Sequence, residues 1–293
     1  MKPPSFDYAA PKTVDDVIAL LKQHEGDAKI LAGGQSLMPL LNMRLARPAL
    51  LVDLARVDGL DQIREIDGSL AIGAMTRQRA VEHSELVRSR YPLLHTAILN
   101  IAHPQNRNQG TVGGSLAHAD PAAELPAIAL AVDAEFHAVG PGGARRIKAA
   151  DFFVTYLTTA LEPTEVLTEV RFPALPPRTG WSFIELARRH GDFALTGVVA
   201  RLATDAGGRC ATAQIVLFGV GTTPVRARAA EQILVGEKPS APLFEHAGQA
   251  AGQEIDEPLS DVHASADYRR DLARVLTRRA LTEAASRAAG SLA

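Results

Sequence analysis

Cysteine is all but missing from this chain: Cys210 is the only one in 293 residues. A lone thiol closes no internal disulfide. It cannot hold an iron–sulfur cluster, which needs about four cysteine ligands, nor a cysteine-rich zinc site. Any redox role must therefore run through a bound organic cofactor or through partner proteins. Aromatic residues are scarce too, at 5%, which leaves no stacking platform for nucleic-acid bases. Basic charge is not in surplus, the formal net charge being −2, and this also argues against a nucleic-acid partner. Long apolar runs are lacking. Ile128–Val132 falls far short of the roughly 20 residues that span a bilayer, and no apolar stretch follows Met1–Ser5 as a signal peptide requires. We expect a cytoplasmic protein without a transmembrane segment.

Several reaction signatures are absent as well. No G-x-G-x-x-G fingerprint occurs, which weakens a nicotinamide Rossmann reading. No Gly-Lys-Ser/Thr follows either glycine pair discussed below, so there is no P-loop. No G-x-S-x-G elbow anchors a hydrolase triad. The histidines form no compact ligand pattern. His103 and His118 bracket a glycine stretch, but capping or solvent exposure accounts for them better than a metal.

What is present is an ordinary globular composition, 46% hydrophobic and 22% charged, with length enough for about two domains. Two glycine stretches stand out. Ala32-Gly33-Gly34-Gln35-Ser36 follows a strand-like run, Lys29–Leu31, and precedes a helix-like one, Leu37–Leu41. Paired glycines let the backbone turn sharply and leave no Cβ in a ligand's way. Their N–H groups can face an anion, as in a phosphate-cradling nest. Thr111-Val112-Gly113-Gly114-Ser115 repeats this chemistry further along. From the residues alone two readings stand: two loops gripping one diphosphate, or two tight turns in an α/β protein.

Along the chain, Thr13 is a good N-cap with Asp16 three residues on. A strand is expected at Ala28–Leu31, a helix ending before Pro48, and a buried strand at Leu50–Asp53. Asp67-Gly68-Ser69 signals a hairpin between Ile63–Ile66 and Leu70–Ile72. Residues 76–102 read as helical, 103–110 as polar and turn-rich, and about Ala122–Ala131 as a helix. Asp120 and Glu124 at its start are either acids complementing the helix dipole or acceptors for sugar-like hydroxyls. Strands are expected at 132–139, 146–148 and 166–172, then a linker at 173–180. Beyond it, 181–186, 196–204 and 211–220 read as antiparallel strands, and about 225–235, 240–252 and 265–288 as helices. Arg188–Phe193 reads as a solvated hairpin tip, in which an apolar Phe193 is expected to pack on something. Cys210 reads as a buried, inert thiol.

The two glycine stretches in their long contexts carry a resemblance. Ala32–Leu41 followed by Arg44–Pro48 and Leu51–Leu54, together with Gly110–Pro126, resemble the FAD-binding medium subunit of the molybdenum hydroxylases, the family of xanthine and carbon monoxide dehydrogenases. The resemblance runs the whole chain. It implies an α+β protein. Residues 1–176 would form a vanillyl-alcohol-oxidase-type (PCMH) FAD-binding domain of two α/β lobes. Residues 178–290 would form a carbon monoxide dehydrogenase flavoprotein-like C-terminal domain, a small antiparallel sheet with helices.

The cofactor implied for this chain is FAD. The first stretch, Ile30, Leu31, Ala32, Gly33, Gly34, Gln35, Ser36 and Leu37, would take the pyrophosphate and nearby adenosine side. The second, Thr111, Val112, Gly113, Gly114 and Ser115, would grip the diphosphate from the other lobe, with Thr111 and Ser115 donating from their hydroxyls. Ala102 and Asp120 would join the site. Glu124 matches an acid on the flavin's polar chain, Leu167 an apolar contact, and Phe193 an aromatic beside the isoalloxazine where a tyrosine is expected. Asn106 and Gln109 depart from the commoner Ile and Arg. A β-branched residue at Gly34 or Gly114 is expected to intrude on the diphosphate while the fold persists.

The resemblance also explains the missing cysteines. A small partner subunit would hold two [2Fe–2S] clusters and a large one the molybdenum–pterin cofactor, in a dimer of heterotrimers. Substrate would be hydroxylated at molybdenum, and electrons would pass through the clusters to FAD here and on to an external acceptor. No catalytic side chain and no metal ligand are expected on this chain. A stand-alone FAD oxidoreductase of the same fold, and a non-catalytic nucleotide-binding protein, are the alternatives.

Overall fold

The computed structural model of the protein describes residues 1–24 and 26–290. The chain opens with β1 (Asp7–Ala9) and α1 (Val14–Gln23). Thr13 caps α1, its Oγ1 accepting the Asp16 N–H at 3.1 Å, and the helix buries Val17, Ile18 and Leu21. Next come β2 (Ala28–Leu31), α2 (Leu37–Asn42) and β3 (Leu50–Asp53). These strands form a parallel sheet in the order β1-β3-β2. The central strand reads Leu50-Leu51-Val52, buried throughout. Such an unbroken apolar run is what a parallel strand covered on both faces needs.

The second lobe begins with a hairpin, β4 (Ile63–Ile66) and β5 (Ser69–Gly73). Asp67 and Gly68 take φ of 51° and 75°, the left-handed pair of a tight hairpin turn. Six helices follow: α3 (Gln78–His83), α4 (Glu85–Arg90), α5 (Pro92–Asn100), α6 (Pro104–Gln109), α7 (Val112–His118) and α8 (Glu124–Ala131). The expected single helix over 76–102 is thus three. It breaks at Ser84, whose hydroxyl caps α4, and at Tyr91, where Pro92 starts α5 at its first position. The polar stretch 103–110 is helical as well, because Pro104 again supplies a preset first turn.

The lobe continues through β6 (Glu135–Gly140), β7 (Gly143–Lys148), α9 (Ala149–Phe152), β8 (Phe153–Thr155), β9 (Thr158–Thr159) and β10 (Val166–Pro173). Its main sheet is antiparallel, in the order β4-β5-β10-β6-β7. β6 starts later than Val132 because Asp133 adopts a φ of 54°. α8 is buried along its whole length, as a helix apolar at every position after Glu124 must be.

The last part comprises β11 (Thr179–Leu186), β12 (Thr196–Thr204), β13 (Cys210–Phe218), β14 (Val225–Arg226), α10 (Arg228–Leu234), α11 (Ala241–Gln253) and α12 (Ala266–Ala288). The linker expected at 173–180 shrinks to 174–178, since Pro173 closes β10 and Thr179 opens β11. The helix expected from about 225 starts at Arg228, because Val225 and Arg226 pair with β13 instead. The antiparallel sheet β11-β12-β13-β14 is buried on both faces. Val199, Val216 and Phe218 join the core of the second lobe. Val198, Ala200, Ile215 and Leu217, alternating with them, pack with the residues of α10–α12. The period of two thus welds this sheet to the body of the molecule. Cys210 is 1% exposed, and burial pushes its thiol up to about 11. Among the described residues no helix is long and apolar enough to cross a membrane.

Candidate functional site

The first glycine stretch leaves β2 and turns into α2. Gly34 sits at φ 71°, a left-handed geometry that costs other residues about 1–2 kcal/mol. Gly33 is needed for a different reason: a Cβ there would lie 2.4 Å from the Gln109 carbonyl oxygen and 2.8 Å from Gly110 Cα. The first stretch therefore lies directly against the second. The N–H groups of Gly33, Gly34, Gln35, Ser36 and Leu37 donate to no acceptor among the described residues. Ser36, at the N-cap of α2, makes no cap bond with its side chain.

The second stretch is built otherwise. Thr111–Ser115 is the start of α7 rather than a loop. Thr111 Oγ1 accepts the Gly114 N–H at 3.0 Å. The Val112 N–H goes to Thr76 O at 3.0 Å, that of Gly113 to Ala74 O at 2.9 Å, and that of Ser115 to Thr111 O at 3.1 Å. The glycine N–H donors that the sequence pattern suggested are spent inside the protein. What remains is the hydroxyl chemistry of Thr111 and Ser115. A Cβ on Gly114 would meet Thr111 Oγ1 at 2.6 Å, and one on Gly34 would meet Met38 Cγ at 3.2 Å. Side chains at these positions would thus first disturb the protein's own turns, contrary to the expectation of an intact fold.

Both stretches line one cleft of about 1190 Å³. Every position singled out in the sequence lines it except Leu31 and Val112, the latter fully buried in the core. Ile30, Ala32–Leu37, Ala102, Thr111, Gly113–Ser115, Asp120, Glu124, Leu167 and Phe193 come together there from β2, α2, the α5–α6 corner, α7, α8, β10 and the β11–β12 connection. Phe193 is 66% exposed. Within the chain it packs on little, and it presents a bare apolar ring at the cleft.

Other lining residues carry no motif: Lys29, the β8–β9 tip residues Leu157 and Thr158, and Arg188 and His263 from the C-terminal part. Only their tertiary placement reveals them. Arg107 is a support that sequence reading also missed. It is 5% exposed, pairs with Glu82 at 2.9 Å, and donates to the carbonyls of Ile101 at 2.7 Å and Ala102 at 3.2 Å. It braces Ala102 at its strained φ of 42°. A second brace is Asn106, whose Nδ2 donates to Gln35 Oε1 at 3.1 Å.

The acids at the start of α8 are not simple dipole partners. Glu124 is 6% exposed. Burial, reinforced by the neighbouring Glu185, pushes its carboxyl up to about 8. Burial also raises Glu185 to about 7, with Oε2 left unpaired. The opposite holds for His118: burial first, and then Lys29, lower it below its ordinary value against the pull of Asp120. At neutral pH this region holds a protonated Glu124 and a neutral His118. Among the described residues no cluster of His, Cys, Asp and Glu could hold a metal.

Comparison with known proteins decides the family. The FAD-binding domain of molybdopterin dehydrogenases matches residues 4–175, and the carbon monoxide dehydrogenase flavoprotein C-terminal domain matches residues 181–284. The chain belongs to this flavoprotein family. It is 45% identical to subunit alpha of the 6-hydroxypseudooxynicotine dehydrogenase complex of Paenarthrobacter nicotinovorans, over 98% of this chain and 97% of that one. A carbon monoxide dehydrogenase structure from Hydrogenophaga pseudoflava superposes with a TM-score of 0.95 at 41% identity, over 98% of this chain and 99% of that one. Quinoline 2-oxidoreductase from Pseudomonas putida 86 gives 0.93 at 40% identity, covering 98% and 99%. Like these flavoproteins, the chain is an oxidoreductase subunit with an FAD-binding domain, a medium subunit of a molybdenum hydroxylase complex.

Proposed function

We propose that this flavoprotein subunit holds FAD in the cleft and relays electrons from [2Fe–2S] clusters of a small partner subunit to an external acceptor. The observation that carries this reading is the run of unspent N–H groups from Gly33 to Leu37, with no acceptor among the described residues, in a cleft of about 1190 Å³. A set of converging donors suits a diphosphate, and the volume suits a large, extended ligand. When bound, FAD supplies the reversible uptake and release of electrons.

The chain's own residues do the binding and set the electrostatics. The amides of Gly33–Leu37 and the Ser36 hydroxyl hold the diphosphate, with the hydroxyls of Thr111 and Ser115 on its other side. Asp120 and Glu124 serve the ligand's hydroxyl groups. With its carboxyl at about 8, Glu124 can donate as well as accept at neutral pH. Phe193 offers its exposed ring to the flavin. Ala102 and Leu167 shape the apolar wall. No side chain of this subunit forms a bond with substrate or takes its proton. We place the division between the FAD-binding domain, 1–176, and the C-terminal domain, 178–290, in the short connection before β11.

The clusters must sit on another chain, since Cys210 is alone and buried. We assign the molybdenum–pterin cofactor to a large subunit and the assembly to a dimer of heterotrimers. Substrate choice belongs to that large subunit: the relatives above are named for different substrates although their medium subunits share one fold. The test is purification with the neighbouring subunits. Flavin stoichiometric with this chain, together with iron and molybdenum, is expected. A complex that lacks flavin and takes up none when FAD is added, or a lone chain that turns over substrate, would overturn the reading.

A further inference from the structure

Three C-terminal segments that no strand ladder joins stand at the cleft, the first and third lining it and the second just behind them. The first is the connection 187–195, which carries Phe193 and is closed at its base by the Leu195 N–H to Leu186 O at 2.8 Å. The second is Gly219, just after β13, whose N–H donates to Pro121 O at 2.8 Å and so meets the turn between Asp120 and Glu124. The third is 261–264, which carries His263; its Nδ1 lies 3.2 Å from Arg188 Nη1.

A single side chain ties all three. Arg269, in the first turns of α12, is 3% exposed. Its Nη1 donates to Leu195 O and, at 2.8 Å, to Gly219 O. Its Nη2 donates to Asp261 Oδ2 at 2.6 Å. Asp261 Oδ1 in turn accepts the N–H groups of His263 at 2.8 Å and Ala264 at 3.0 Å. Arg269 does not itself line the cleft. Only a planar guanidinium has enough donors in a fixed fork to reach three acceptors on separate segments; an ammonium is a point charge on a flexible stem. Burying such a charge is a poor way to gain stability, because apolar residues of the same volume often do as well or better. What the arrangement supplies is fixed geometry.

We propose that Arg269 is a positioning residue for the flavin site: it touches no cofactor but holds Phe193, His263 and the Asp120–Glu124 turn in one wall. This rests on the FAD reading of the cleft. The first stretch, 30–37, lies outside the clamp, and that makes the proposal testable by location as well as by affinity.

The experiment uses the full chain with Arg269→Lys and, because that variant could fail to fold, Asp261→Asn, which removes one arm only. Amide hydrogen exchange is followed without FAD, and flavin fluorescence and visible circular dichroism during FAD titration. For Arg269→Lys, exchange should quicken at 187–195, 219–220, 119–124 and 259–264 and stay unchanged in the β2–β3 pair, 28–31 and 50–53, that leads into the first stretch. FAD affinity should fall about tenfold or more, with an altered flavin dichroism. Asp261→Asn should quicken 259–264 and weaken FAD less. Wild-type exchange and affinity in folded variants would overturn the proposal, and so would exchange quickened equally across the chain, 28–31 and 50–53 included. A wild-type chain that takes up no FAD would sink the cofactor reading and the flavin role with it. An exchange pattern still confined to the named segments would then show that the failure lies in the cofactor and not in the clamp.

Discussion

Ala32–Ser36 and Thr111–Ser115 look alike in sequence and differ in what they do with their hydrogen bonds. The first, with Leu37 after it, leaves the five amides of Gly33–Leu37 without an acceptor among the described residues. The second spends its amides on Ala74, Thr76 and its own cap. One stretch is a donor surface; the other is a structural seam that brings two hydroxyls and, further along, two acids to the same cleft. A Gly-Gly pair therefore does not announce which role it has. The deciding quantity is where each N–H goes, because a buried donor must be satisfied somewhere.

The largest break in this comparison should come from Gly33→Val. A Cβ there falls 2.4 Å from the Gln109 carbonyl and 3.0 Å from the Thr111 nitrogen that opens the second stretch, so the two stretches must move apart. Overpacking of this kind costs about 1–3 kcal/mol. We expect a lower melting temperature and complete loss of bound flavin, measured on the purified complex; retention of flavin would show that the two stretches can separate without consequence.

A second test concerns the acids that follow the second stretch. Glu124 carries its proton up to about 8 in the folded chain, against an ordinary value of 4.5. Folded-state protonation therefore contributes stability that is full below about pH 4.5 and is lost as pH rises through 8. Glu185 adds a loss of the same sign up to about 7, while the lowered His118 works the other way. Thermal melts of the FAD-free chain should fall as pH rises between about 5 and 8, and Glu124→Gln should flatten that fall. An equal slope in both proteins would mean that Glu124 is ionised throughout.

A third separates cap from donor. Thr111→Ala removes an N-cap bond and should cost about 1 kcal/mol of stability. Ser36→Ala removes no bond within the protein and should stay within about 0.5 kcal/mol in stability while weakening FAD. Paired melts and FAD titrations check this; equal stability losses would erase the distinction between the stretches. The smallest effect belongs to Asn106→Ala, which frees Gln35 from an exposed bond of 3.1 Å. It should shift melting by less than Thr111→Ala does, with a slight loss of flavin affinity.

Sequence reading went far where the signal is local. The N-cap at Thr13, the Asp67-Gly68 hairpin and the strand periods around Val198–Leu202 are written in neighbouring residues, and the structure follows them. It went wrong where breaks compete with periodicity. Ser84 and Pro92 divide an apolar run that reads as continuous, and Pro104 makes a helix of a polar stretch. Of the residues at the cleft, those in the two long motifs were visible. His263 and Leu157 were not, since each sits in a segment with no pattern of its own. Phe193 was visible too: an apolar residue at a tip suggested packing, and the structure leaves its ring 66% exposed at the cleft.

By itself the sequence determined the family, the α+β class and many of the strands, because glycine spacing, apolar period and cap residues act over a few positions. It also determined, through Cys210 alone, that no iron–sulfur cluster is held by this chain. The tertiary structure decided which glycine amides remain free, how far Glu124 is driven from its ordinary protonation, and which arginine binds the wall of the cleft together. Those depend on partners distant in the chain: Ala74 for Gly113, Glu185 for Glu124, and Leu195, Gly219 and Asp261 for Arg269. Hydrogen bonds and burial are settled by what folding brings near, and no local pattern encodes that.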